Sequence, residues 1–175
     1  MRSHMASILF DLEANAKVPE KVTKLWCLSY MYIDTPEDIY TITAGGIEAG
    51  EPLMYRRIRD RLKPGDTLIG HNIIKYDIPV LAKMVFNCQV KDMYKRYKII
   101  DTLVISRALD PDRDCKRHSL EDWGRRLGGD QKVEQETWDE WDYNYITRCT
   151  GDVNLNYRTL QVELDEISKY ESYST

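Results

Sequence analysis

The chain has 175 residues, with 25 basic and 29 acidic side chains and a formal net charge of -4. A hydrophobic content of 42% with only 6 prolines and 9 glycines excludes a disordered tail or a repeat array and fits one compact domain. The length excludes a complete polymerase, kinase or barrel enzyme, and the acidic balance gives no support to a chain that coats nucleic acid by bulk charge.

The cysteines, Cys27, Cys88, Cys115 and Cys149, are too widely spaced for a zinc knuckle or a redox pair and read as free thiols of a reducing compartment. No apolar run approaches about 18 residues, and no secretory signal opens the chain. These features predict a cytoplasmic protein without a membrane span. The opening MRSHMAS resembles a vector-derived leader, so His4 and the rest of 1–7 are set apart and a single domain is expected over 8–171.

In chain order, ILFDLE at 8–13 alternates as a strand, with Ile8, Phe10 and Leu12 on one face and Leu9, Asp11 and Glu13 on the other. The segment 26–32 is apolar or aromatic on both faces, as an interior strand requires, and 39–44 repeats the pattern before Gly45 and Gly46. Three antiparallel strands are the simplest reading. Pro52 then opens a helix whose buried stripe is Leu53, Ile58 and Leu62, and a PGD turn leads into the short strand TLIG.

Pro79 lies just inside a second helix, with Ile78, Leu81, Ala82 and Val85 facing inward. After the basic stretch KDMYKRYK, Ile99 and Ile100 suit a fifth strand, and Asp101 and Thr102 lead into a helix through Leu109. Ser119 caps the next helix, with Asp122 three residues on. A last long helix carries Ile146, Cys149, Val153, Tyr157, Leu160, Leu164 and Ile167 at intervals of three or four. The sum is an α/β fold with a small mixed five-stranded sheet flanked by helices.

Chemistry enters through the acids. Asp11 and Glu13 are one residue apart on a strand, so their carboxylates project to the same side and repel each other unless a cation lies between them. Asp77 stands in the first turn of a helix, where an acid is also favoured by the unsatisfied amides. Asp152 lies inside the strongest amphipathic helix beside Val153, an expensive place for an aspartate without a partner. Two divalent cations, Mg2+ or Mn2+, held by Asp11, Glu13, Asp77 and Asp152 would activate water against a phosphodiester and steady the leaving 3′ oxygen.

The segments FDLE, GHNIIKYD and CTGDV resemble the three exonuclease motifs of the DEDD superfamily, which has a ribonuclease-H-like fold. IDTLVISRAL and HSLEDWGRRLG look like the linking segments of the proofreading domain in family A DNA polymerases of short-tailed phages. The likeness covers nearly all of the chain after the leader. It implies a 3′–5′ exonuclease of single-stranded or frayed DNA that releases nucleoside 5′-monophosphates in a phage-infected host cell. A polymerase domain or a replication protein is the implied partner. In such enzymes Asp11 bridges both ions, Glu13 and Asp152 serve the nucleophile side, and Asp77 acts on the other ion mostly through water. The resemblance also implies substrate contacts from His71, Asn72 and Tyr76, and from Leu12, exposed beside the site.

One departure stands out. Tyrosine four residues before the last aspartate, or histidine five before it, orients water in the two branches of the superfamily; here those positions are Arg148 and Thr147. Arginine stays protonated and cannot accept a proton, although it can clamp phosphate. Three explanations stand side by side: a native site using Arg148 differently, a helix start that brings Tyr145 or Tyr143 inward, or a weakened nuclease. Two other functions stay open, a DNA-end or replication-partner binding module and a 3′–5′ exoribonuclease.

Basic residues cluster at Arg56, Arg57, Arg59, Arg61 and Lys63, at Lys95, Arg96 and Lys98, and at Arg113, Lys116 and Arg117. The second cluster alternates with Tyr94 and Tyr97, whose rings are candidates to stack on unpaired bases, while Arg107, Arg125 and Arg126 are candidates to meet phosphate. His118 reads either as a structural residue or as one near the substrate. Trp123, Trp138 and Trp141 read first as packing anchors.

Overall fold

The computed structural model describes residues 5–44, 50–113, 115–128 and 140–172. Gly45, Gly46, Trp138 and His4, all named above, lie outside the described residues.

Five strands form one mixed sheet: β1 (Ser7–Ala14), β2 (Leu25–Tyr32), β3 (Thr35–Thr43), β4 (Thr67–Gly70) and β5 (Lys98–Asp101), in the spatial order β3-β2-β1-β4-β5. The first three strands pair antiparallel, as short connections allow, while β4 and β5 add in parallel after helical crossovers. The helices are α1 (Gly50–Arg61), α2 (Asp77–Val80, continuing as a π-type turn over Leu81–Phe86), α3 (Val90–Arg96), α4 (Thr102–Leu109), α5 (Leu120–Leu127) and α6 (Asn144–Ser172).

The alternation in β1 divides the core. Ile8, Phe10 and Leu12 face one layer with Ile58 and Leu62 from the α1 region and Ile78, Val80 and Leu81 from α2 and its continuation. Leu9 faces the other layer, where Met31, Ile69 and the α6 residues Val153 and Leu160 meet it. Each buried aliphatic side chain is worth about 1.5–3 kcal/mol, so these two layers hold α1 and α6 on opposite faces of the sheet. Asp11 and Glu13 share the face of Leu9 and therefore point toward α6.

β1 begins at Ser7, opposite Thr67, and the Ala6 amide donates to Asp66 Oδ1 at 2.9 Å, so the last residues of the expected leader join the fold. The helix after Pro52 buries Met54 where Leu53 was expected; Leu53 is half-buried on the flank. In α6 the expected stripe breaks at Leu164, which is 47% exposed, because the buried position at that turn is Glu163. KDMYKRYK, read as a polar stretch, contains most of α3 and then the start of β5; it buries Met93 and Tyr97, whose hydroxyl donates to the Leu62 carbonyl at 3.0 Å. Tyr97 is thus a core residue and not a platform for bases, whereas Tyr94 is exposed.

Candidate active site

Three elements converge at the carboxyl end of β1. Parallel pairing between β1 and β4 stops at Leu9 and Ile69, and the register with β2 shifts between Glu13 and Ala14. Beyond Leu9 the ladder to β4 ends, and the acidic end of β1 faces the first half of α6. Divergence of strands at their carboxyl ends is where α/β sheets open a binding crevice. Cys149, on the buried side of α6, donates its thiol to the Asp11 carbonyl at 3.2 Å and so ties helix to strand.

In this arrangement a carboxylate oxygen from each of Asp11, Glu13 and Asp152 lies within 4.8 Å of the others. Glu13 is 6% exposed. Burial holds the Asp11 carboxyl well above the usual carboxylate range, and the charges of Asp152, Asp77 and Glu13 push it the same way. Asp77 lies just outside the trio. It is 3% exposed and raised to about 8, first by burial and then by Glu13 and Asp101, with its own amide and that of Leu12 pulling the other way. Its Oδ1 is buried with no hydrogen-bond partner. Crowded, desolvated carboxylates with an orphaned oxygen are a donor set made for a hard divalent cation.

Arg148 occupies the cluster's edge. It is one turn before Asp152 on α6, and its Nε lies 2.8 Å from Glu13 Oε1, with the two side chains only 14% and 7% exposed. Tyr145 sits in the first turn of α6, fully buried, its ring stacked on Trp26 at 5.7 Å between centroids and 6.1 Å from Trp141. Tyr143 is 71% exposed. The helix start therefore turns Tyr145 into an aromatic cluster and Tyr143 toward solvent.

The loop after β4 carries the second motif. Asn72 adopts a left-handed conformation, φ 62°, and its amide donates to Asp101 Oδ1 at 2.8 Å. The Ile74 amide donates to Asp101 Oδ2 at 3.1 Å. Burial pushes His71 down to about 4, and its Nδ1 lies 2.9 Å from Thr102 Oγ1, which donates in turn to Asn156 Oδ1 at 2.7 Å. The Tyr76 hydroxyl donates to the Ala16 carbonyl at 2.5 Å, pinning the loop to the chain after β1. Leu12, expected to be exposed beside the site, is 3% exposed and packs in the core; only its backbone faces Asp77. Its face of β1 is the apolar one, and the register shift comes one residue too late to turn it outward.

His118 is 1% exposed, with Nδ1 2.8 Å from Ser106 Oγ, which also accepts from Trp123 Nε1 at 3.2 Å. Arg107 is exposed on α4. Several of the basic residues are engaged with the protein itself. Arg59 donates to the Val85 carbonyl at 2.7 Å, Arg113 pairs with Asp110 at 2.6 Å and Arg125 with Glu121 at 2.5 Å. Arg126 lies 3.7 Å above the Trp123 ring.

Sequence reasoning missed Asp101 as the anchor of the second-motif loop, having read it only as a lead-in to α4. The available signal was its place before Thr-Leu at a helix start, the pattern of a capping aspartate. Thr102, Asn156 and Glu163 carried no signal, since each polar residue is buried by the way α6 crosses the sheet.

No family model matches the chain. In sequence it is 32% identical over 139 residues to the DNA-directed DNA polymerase of Enterobacteria phage T3 and 31% identical over 142 residues to that of Escherichia phage T7. Each match takes in 69% of this chain, which spans only 19% of the polymerase. In structure it is similar to E. coli exonuclease I in complex with a dT13 oligonucleotide, with TM-score 0.67 and 13% identity over 97% of this chain and 43% of that one. A product-bound exonuclease I gives TM-score 0.68 at 12% identity, over 98% and 46% of the two chains. An apo nuclease gives 0.66 at 18%, over 94% and 74%. The chain has the DEDD-type 3′–5′ exonuclease fold, built on a five-stranded ribonuclease-H-like sheet, and is related in sequence to the T3 and T7 phage DNA polymerases.

Proposed function

We propose that the chain is a metal-dependent 3′–5′ exonuclease that removes nucleoside 5′-monophosphates from a single-stranded or frayed DNA end. The observation that carries this reading is the convergence of Asp11, Glu13 and Asp152 within 4.8 Å on a strand and a helix far apart in sequence. The similarity to an exonuclease bound to dT13 and to two phage DNA polymerases supports DNA as the substrate. The span of 19% of each polymerase has the size of a single domain, which fits an editing module acting beside a polymerase domain or replication protein.

In this reading Asp11, Glu13 and Asp152 hold one divalent cation and Asp77 helps hold a second, with Mg2+ or Mn2+ the ions suited to oxygen donors. The cations would supply activation of water and stabilisation of the departing 3′ oxygen. Asn72 and His71 approach the strand near its end, with Tyr76 holding their loop, and Arg107 offers an exposed cation to a phosphate. His118 supports this side through Ser106, and Tyr145 seats the start of α6. Stepwise shortening of an end-labelled single strand on addition of Mg2+ or Mn2+, lost in the Asp11→Ala, Glu13→Ala double variant, is the expected result; undiminished digestion by that variant overturns the reading. Matched DNA and RNA strands in competition decide between a deoxyribonuclease and an exoribonuclease.

One observation favours a second reading, a slow nuclease retained mainly to hold DNA ends. Arg148, at the position where tyrosine would orient water, is paired with a cluster acid. Arg148→Tyr separates the two: a gain in turnover of tenfold or more supports the slow nuclease, and no gain supports a native site built around arginine.

A further inference from the structure

Glu13 belongs to two groups at once. Its carboxylate is one of the three acids within 4.8 Å, and its Oε1 forms an ion pair with Arg148, 2.8 Å from Nε. The pair is almost wholly shielded from water, at 7% and 14% side-chain exposure. Screening is weak at such depth, and a guanidinium stays protonated throughout the working pH range, so its positive charge is a fixed property of the site. The chain itself thus supplies a cation to an acidic trio that otherwise repels itself.

We propose that Arg148 is a resident counter-ion for Glu13 that a divalent cation must compete with, so that this one side chain sets how tightly the site takes up metal. The proposal rests on the metal-site reading of Asp11, Glu13 and Asp152. Two features of the structure support it. Arg148 sits one helical turn from Asp152, so its charge stands on the same face of α6 as an acid of the trio. The guanidinium engages an oxygen of a carboxylate that the ion would need. A cation placed among the three acids then meets a fixed positive charge a few ångströms away, and the same Coulomb term that stabilises the metal-free trio opposes loading. Arg148 is a positioning residue in this scheme: it acts through Glu13.

Two effects of opposite sign follow when the charge is removed. Without metal, Arg148→Met leaves buried acids less compensated, and thermal stability falls. With metal, the competing cation is gone, and affinity rises. A residue that merely packs would lower stability in both states and leave affinity unchanged or weaker.

The test is direct Mn2+ binding to the full chain, by calorimetry or by the loss of free-ion electron paramagnetic resonance signal, with thermal unfolding in chelator and in saturating Mn2+. Wild type, Arg148→Met, Arg148→Lys and Asp11→Asn are compared. The expected result is about tenfold tighter Mn2+ binding for Arg148→Met, a lower unfolding temperature in chelator and a larger rise on metal addition. Arg148→Lys, which keeps the charge, binds within about threefold of wild type. Unchanged or weaker binding by Arg148→Met, with wild-type binding that Asp11→Asn abolishes, overturns the counter-ion role and leaves the metal site standing. No Mn2+ bound by wild type or by Arg148→Met overturns both. Should Arg148→Met fail to fold, Arg148→Gln takes its place under the same criteria.

Discussion

Asp101 and Asn72 are joined at 2.8 Å, carboxylate to backbone amide, across the gap between the end of β5 and the loop that follows β4. The same carboxylate accepts from the Ile74 amide at 3.1 Å and from the Leu103 amide at 3.0 Å, so one buried side chain caps α4 and fixes the left-handed turn at Asn72. Asp101→Ala strands three amides in one step. Loss of the cap and of hydrogen bonds to a charged acceptor is expected to cost about 3 kcal/mol, read from denaturant unfolding. Exonuclease turnover should fall with it, because Asp77 is positioned by the same loop. A cost below about 1 kcal/mol would mean that the loop is held elsewhere.

Asp77 predicts a pH dependence that metal opposes. Its carboxyl stands at about 8 against an ordinary 3.8, raised first by burial, so the proton is bound more tightly in the folded chain. Its favourable contribution is therefore complete below the ordinary value and lost as pH rises through about 8. In chelator the unfolding temperature should decline from pH 6 to pH 8.5, and Asp77→Asn should flatten the decline. The rise on adding Mn2+ should be larger at pH 8.5 than at pH 6, since loading displaces protons. Differential scanning fluorimetry at both pH values checks each point, and a metal-induced rise that does not grow with pH counts against it.

Glu163 is another buried acid with a raised carboxyl, away from the trio. It is 0% exposed, neither carboxylate oxygen has a hydrogen-bond partner, and burial followed by the Asp101 charge lifts it to about 8, with Arg126 opposing. The sign is the same as for Asp77: stability present below the ordinary 4.5 is lost as pH climbs through about 8. Glu163→Gln should unfold on the order of 5 °C higher than the parent at pH 9 and show no such gain at pH 5. Equal gains at both pH values would point to packing instead of charge.

At Gly70 a Cβ would meet Ile73 Cγ2 at 2.1 Å and the Phe10 carbonyl at 3.0 Å. The loop after β4 can fold back onto β1 only because this position has no side chain. Gly70→Ala should cost about 2 kcal/mol through overpacking. The chemical denaturation midpoint measures it, and a neutral result would show that Ile73 can swing aside freely.

Much of this site is legible in the sequence because its acids sit on regular elements. Period-two alternation puts Asp11 and Glu13 on the face opposite Phe10, and the apolar stripe of α6 makes Asp152 conspicuous beside Val153. Other features depend on how elements meet. Asp101 acts on Asn72 through backbone amides 29 residues away in sequence, and no local pattern announces that. Tyr97 follows a helix with a single deeply buried residue, Met93, too little for a period to show. Leu164 follows the helical spacing but is exposed, because burial at that turn is decided by packing partners and not by spacing. The Arg148–Glu13 pair joins positions 13 and 148, and only folding brings them together.

The tie between Cys149 and Asp11 spans 138 positions. During synthesis, β1 leaves the ribosome well before α6, which brings Asp152. A chain that has released β1 but not yet α6 therefore carries only two of the three clustered acids. The cluster of Asp11, Glu13 and Asp152 closes only when α6 docks against the sheet.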